Sequence, residues 1–190
     1  MADPNRQFSA SLYWVGHVAT LAVVFATFAA LFVLYLVRSG NPQFWSPVKL
    51  PNQLWLSTAF LVAASFCVEA SRWALRREQW NEYASWLIRT SVAGVAFLIT
   101  QILCWRMILA QNAIAHDANS GLLYLLTGAH AVHVLAGMSA LGYLIWRVWH
   151  PWASRAPHRR NSITFMLATY WHAMLFIWIA MYAMLAAHAR

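Results

Sequence analysis

Acidic side chains are scarce: five Asp and Glu stand in 190 residues, and only 9% of the chain is charged. A soluble globular domain carries roughly 25% charged residues, so this composition excludes an ordinary water-facing surface. Cysteine is nearly absent too, with Cys67 and Cys104 alone, which excludes a disulfide framework. Both fall inside apolar runs, about 20 Å and about 9 Å from the outer ends of their helices, too different in level to pair. They read as packing residues. Neither they nor any serine neighbours a histidine with an acid behind it, so nucleophilic hydrolysis has no support. No glycine-rich phosphate loop and no internal repeat occur. The first residues, MADPNRQFSAS, contain an acid and no cleavage-like site before the first apolar run, so the first helix is expected to stay in the mature protein.

What is present is apolar, at 62% hydrophobic residues. Five runs are long enough to cross a hydrocarbon core of roughly 30 Å, which takes about 20 helical residues. They fall at about 17–37, 54–71, 86–110, 121–146 and 163–187. The expected fold is an all-α membrane protein, five transmembrane helices in one bundle forming a single domain over 1–190. Gly40 and Pro42 break the chain after the first span, and Arg76–Tyr83 and Trp146–Asn161 read as polar, solvated connections.

The formal charge of +8 is placed asymmetrically. Of the 13 Lys and Arg, nine (Arg6, Arg72, Arg76, Arg77, Arg89, Arg147, Arg155, Arg159, Arg160) fall on one side of a five-span topology and four (Arg38, Lys49, Arg106, Arg190) on the other. The positive-inside rule then puts the N-terminus in the cytoplasm and the C-terminus outside, in the periplasm of a two-membrane bacterium, and locates the chain in the bacterial cytoplasmic membrane. Arg72, Arg76, Arg77, Arg159 and Arg160 are expected to meet lipid headgroups, not nucleic acid. Ten of the 12 tryptophans lie near span ends as an aromatic belt, and Trp171 and Trp178 fall well inside a span.

The informative stretch is Gly121–Leu144, apolar except for Thr127, His130 and His133. Two imidazoles at i and i+3 share one helix face at mid-membrane, where an ionisable group must point into protein. His130, His133, Gly137 and Ala140 form a stripe whose small residues invite a neighbouring helix, expected to be the segment Thr169–His172. Gln101 is expected to hydrogen-bond between helices. Ser57, Thr58 and Ser65 put hydroxyls on the second helix, and Glu69 reads as a carboxylate near its cytoplasmic end paired with Arg72 or Arg76. His133 and His172 invite a bis-histidine heme, at levels about 20 Å and about 14 Å from the cytoplasmic ends, but no carboxylate is expected there to orient them. His130, His133 and His172 are therefore expected to be neutral, hydrogen-bonded packing groups, with Thr127 and Tyr170 as partners. On this reading the chain has no catalytic, cofactor or metal residue of its own.

These residues together resemble the subunit III family of heme-copper respiratory oxidases, in its five-helix form. Leu126–Gly137 is similar to the family's TG-x-H-x-x-HV-x-x-G segment, and Tyr170-Trp171-His172 followed by Trp178 is similar to its final-helix YWH pattern. Trp86, Leu87, Thr90, Gly94, Phe97, Leu98, Gln101 and Trp105 fit the third helix, Ser57, Thr58 and Ser65 the second, and Gly16, Phe25, Leu31, Phe32 and Tyr35 the first more loosely. The resemblance implies a non-catalytic accessory subunit of a cytochrome c oxidase or quinol oxidase. Heme and copper would sit in partner subunits I and II, and this chain would pack on subunit I, hold structural phospholipid and stabilise the proton-pumping complex. Two departures stand out. Val24 occupies the place of the first helix's usual buried acid, and 173–177 lacks the aspartate common after YWH. An accessory protein of nitric oxide reductase and a freestanding b-type cytochrome are the alternative readings.

Overall fold

The computed structural model describes residues 4–40, 51–111, 118–150 and 157–188, with side chains from 13–40, 51–110, 121–150 and 160–188. Among these residues there are five helices and no strand: α1 (Pro4–Ser39), α2 (Leu54–Arg76), α3 (Trp80–Gln111), α4 (Ala118–Trp149) and α5 (Pro157–His188). Each contains a stretch long and apolar enough to cross a membrane. The chain is a multi-pass, all-helical membrane protein.

Every helix extends past its apolar run. α3 begins at Trp80, so the connection from α2 shrinks from the expected Arg76–Tyr83 to Arg77-Glu78-Gln79. Tyr83, expected in a solvated linker, is fully buried and hydrogen-bonds through Oη to Thr164 Oγ1 at 2.9 Å. Likewise α4 continues to Trp149 and α5 starts at Pro157, which leaves little of the expected Trp146–Asn161 loop. Hydropathy marks where lipid ends, whereas the backbone hydrogen-bond ladder continues through the headgroup level. Polar residues are compatible with it there.

The α2–α3 turn closes as a Schellman motif: Glu78 N–H donates to Leu75 O at 3.1 Å and Gln79 N–H to Ala74 O at 3.0 Å, with Glu78 at φ 57°. Helices α2, α3, α4 and α5 form a four-sided bundle, in which α2 meets α3 and α5, and α4 meets α3 and α5. α1 lies outside this ring against α5 and α4 and does not contact α2 among the described residues. Its most apolar window is only 17% buried, against 44% for α4 and α5. It touches the bundle through Val24 and Phe28, which pack with Met174 and Ile177 of α5.

The core is built from large side chains meeting small ones. Trp171, Trp178, Phe97 and Met174 are fully buried. A Cβ on Gly94 would stand 3.0 Å from Trp171 Cη2, and one on Gly137 3.0 Å from Tyr170 Cε1. Both glycines therefore admit an aromatic ring of α5, Gly94 from α3 and Gly137 from the stripe on α4 that leads one to expect it. Ala140 borders an open groove between α1, α4 and α5. Cys67 and Cys104 are free, the second within the main core.

Candidate functional site

Polar side chains inside this bundle gather along the seams between helices, because each must find a partner where no water competes. On the α2–α3–α5 side, Gln101 Nε2 donates to Ser57 Oγ at 3.4 Å, the interhelical contact expected of it. Trp178 Nε1 donates to Thr58 Oγ1 at 2.9 Å. Both hydroxyls also donate to Leu54 O in their own helix, so each serves as donor and acceptor.

The histidine pair of α4 differs from expectation. His130 is fully buried, and neither ring nitrogen has a hydrogen-bond partner among the described residues. It stands instead in a box of rings, with centroids of Phe28 at 6.0 Å, Phe97 at 5.7 Å and Trp178 at 5.3 Å. Two of these contacts are edge-to-face, the orientation ring quadrupoles favour. Thr127 is not its partner: Thr127 Oγ1 donates to Leu123 O at 2.8 Å and accepts from Trp105 Nε1 at 2.9 Å, an α3–α4 tie near the C-terminal end of α3 and the N-terminal end of α4. Nor does Tyr170 reach an imidazole. Its Oη donates to the backbone carbonyl of His133 at 2.8 Å, which Gly137 permits by leaving room for the ring. His133 Nδ1 donates to Ala129 O at 2.7 Å, one turn back, and its ring meets Phe28 of α1.

His172 belongs to another seam. Its Nδ1 is hydrogen-bonded to Ser65 Oγ of α2, and its Nε2 lies 3.4 Å from Glu69 Oε2. Arg72 Nη1 donates to that same carboxylate oxygen at 2.6 Å, and the Arg72 guanidinium covers the Phe165 ring at 4.7 Å. Glu69 is thus paired with Arg72, and His172 joins them from α5, so a carboxylate and a serine do stand at this histidine, contrary to expectation, because helix packing brings α5 against the face of α2 that carries them. This also separates His172 from His133: the two that could be imagined as axial ligands are turned to different helices, one to α2 and one to α1. Among the described residues no group of three or more His, Cys, Asp or Glu could hold a metal ion. A sequence signal for the α2–α5 seam did exist, since Ser65, Glu69 and Arg72 recur at i, i+4 and i+7 on one face. What it could not supply was the histidine 107 positions away.

At the arginine-rich end, Arg160 covers Trp80 at 4.5 Å and Arg89 covers Trp86 at 4.2 Å, cation–π pairs at the level of the aromatic belt. Arg72 and Arg76 line a cavity of about 280 Å³ with Trp14, Asn161, Ser162 and Phe165, open at the bundle surface. Arg77 is exposed in the α2–α3 turn. The side chain of Arg159 lies outside the described residues.

The position of the two departures is also specific. Val24 and the 173–177 segment, separated by most of the chain, meet in one apolar cluster through Val24, Met174 and Ile177.

The arrangement accounts for a membrane bundle whose interior polar groups hold helices together. Comparison with known proteins gives it a family. The sequence matches the family described as cytochrome c oxidase subunit III over residues 8–189. It is 25% identical over 161 residues to the cytochrome c oxidase subunit 3 of Thermostichus vulcanus, covering 83% of this chain and 78% of that one. It is 26% identical over 176 residues to the probable cytochrome c oxidase subunit 3 of Mycobacterium tuberculosis, covering 90% and 85%. To the cytochrome bo(3) ubiquinol oxidase subunit 3 of Pseudomonas aeruginosa it is 26% identical over 180 residues, covering 94% and 82%. With a match that runs nearly the whole chain and five membrane-crossing helices to carry it, this chain belongs to the cytochrome c oxidase subunit III family.

Proposed function

We propose that this chain is a non-catalytic accessory subunit of a heme-copper terminal oxidase in a bacterial cytoplasmic membrane. It packs on subunit I of a complex that also contains subunit II, holds phospholipid and stabilises the proton-pumping complex. The observation that carries the reading is the family match over residues 8–189, taken with a bundle whose interior polar groups join helix to helix. Heme and copper belong to the partner subunits on this reading, and the chain itself binds neither. His172, Thr127, Tyr170 and Gln101 act as interior fasteners between helices, whereas the His130 and His133 rings serve as packing groups.

The orientation follows from the positive-inside rule, with the arginine-rich end cytoplasmic. The cavity between Arg72 and Arg76 supports headgroup binding there, because two guanidinium groups beside the hydroxyl of Ser162 and the amide of Asn161 suit a phosphate. On this reading Arg77, Arg159 and Arg160 meet lipid headgroups as well.

The test is purification of the native complex through a tag on this chain, followed by mass spectrometry of the intact assembly. Heme-copper oxidase subunits and phospholipid retained with the chain are the expected result. Recovery with nitric oxide reductase subunits would move the chain to that enzyme, and recovery alone with its own heme absorption would overturn the proposal.

A further inference from the structure

Six buried side-chain nitrogen and oxygen atoms have no hydrogen-bond partner among the described residues, and three of them belong to Gln101 of α3 and His130 of α4. They are Gln101 Oε1 and both ring nitrogens of His130. The two residues are 1% and 0% exposed, so neither bulk water nor lipid headgroups reach them.

Helix register brings the two together. α3 and α4 run antiparallel, with Trp105 bonded to Thr127 toward one end and Gly94 facing Met138 toward the other. Between these fixed points Gln101 falls opposite Ala131, next to His130. Two further contacts close the layer. The ring of Phe97, one turn before Gln101, packs on His130 at 5.7 Å and on Trp178 at 5.1 Å. Trp178 in turn packs on His130 and donates to Thr58, whose neighbour Ser57 accepts the Gln101 amide. Helices α2, α3, α4 and α5 all contribute to this one layer.

Its hydrogen bonds do not close on themselves. Gln101 Nε2 is given to Ser57, which leaves an amide oxygen that can only accept. A neutral imidazole adds one N–H and one bare acceptor nitrogen. Phe28 and Phe97 offer carbon alone, and the single N–H of Trp178 is committed to Thr58. A buried acceptor left bare costs more than a typical made hydrogen bond returns, so the layer calls for a small molecule able both to donate and to accept. Ala131, buried opposite Gln101, gives the seam only a methyl group at that point.

We propose that one water molecule is bound inside the bundle at this layer. It donates one hydrogen to Gln101 Oε1 and is bonded to a ring nitrogen of His130 through its other hydrogen or a lone pair. The ring box holds His130 by packing, and the imidazole together with the amide holds the water. Immobilising a water offsets much of what its hydrogen bonds return, so the bridge adds little net stability and unfolding of His130→Leu alone does not report it. The inference does not depend on which complex the chain belongs to.

The readout is the water itself. A cryo-electron-microscopy map of the intact complex, at a resolution where ordered waters are seen, should show one isolated density within about 3.2 Å of Gln101 Oε1 and of one ring nitrogen of His130. Bare space at that point, or Gln101 bonded directly to His130, would overturn the proposal. Gln101→Leu removes the acceptor and Ala131→Val fills the space, and each should abolish the density with the five helices in place. Density that persists unchanged in both would belong to a water held by other groups and would also overturn it. Should neither variant assemble, the wild-type map decides alone.

Discussion

Trp178 donates its indole N–H to Thr58 Oγ1 at 2.9 Å, joining residues 120 positions apart, while its ring closes one side of the box around His130 at 5.3 Å. One side chain therefore ties α5 to α2 and fills the middle of the bundle. Trp178→Phe should lower stability by about 1–3 kcal/mol, combining a lost hydrogen bond with a partly empty site. Adding Thr58→Val tests the bond itself: coupling energy in a double-mutant cycle should be about 0.5–1.5 kcal/mol, measured by thermal unfolding of the complex in detergent.

The glycines divide into two classes by what an added Cβ would meet. A Cβ at Gly94 would come 2.5 Å from Met138 Sδ and 3.0 Å from Trp171, and at Gly137 3.0 Å from a Tyr170 ring pinned by its bond to His133 O. Gly94→Ala and Gly137→Ala should each cost about 1–3 kcal/mol through forced displacement of these rings. At Gly128 and Gly142 an added Cβ meets nothing within 4 Å. Alanine there should be neutral or stabilising by up to about 1 kcal/mol. Melting temperatures of the four variants give the ranking.

His130 and His172 should respond differently to removal of the imidazole. Neither ring nitrogen of His130 has a hydrogen-bond partner among the described residues, so His130→Leu exchanges an unpaired polar group for an apolar one and should leave stability within about 1 kcal/mol of wild type. His172→Leu strips a partner from Ser65 and from Glu69 and should cost about 1–3 kcal/mol, with weaker subunit retention. Neither change should alter the heme spectrum of the complex. Detergent unfolding with parallel absorption spectra checks all three statements.

Glu78 sits at φ 57° in the Schellman turn, a conformation that costs a residue with a Cβ roughly 1 kcal/mol and glycine almost nothing. Glu78→Gly should therefore raise stability by about 0.5–1 kcal/mol, the reverse of glycine's usual effect. A higher unfolding temperature is the readout, and a lower one would mean that the carboxylate has a role the turn does not reveal.

The number of helices, their apolar character and the segments that carry intramembrane polar groups all follow from local composition. A run of about 20 apolar residues can satisfy its backbone in lipid only as a helix, whatever its neighbours are. The basic bias of alternate connections is likewise local, since Arg side chains stop at the headgroups. Pairing was not legible in the same way. Thr127 was expected to serve a histidine because the two share a helix face, yet Trp105 of α3 reaches it first. His130 was expected to be hydrogen-bonded because buried imidazoles usually are, yet three aromatic rings from three other helices close around it.

Sequence alone thus determined that this chain lives in a membrane as five rods, and which side chains could not face lipid. Only the tertiary structure decided that His172 answers Ser65 and Glu69, that Gly94 and Gly137 make room for rings of α5, and that Val24 meets Met174 and Ile177. The physical reason is range. Helix formation and lipid partitioning depend on residues within a few turns, whereas a hydrogen bond or ring contact depends on which faces of two rods meet, and that is settled by the packing of all five together.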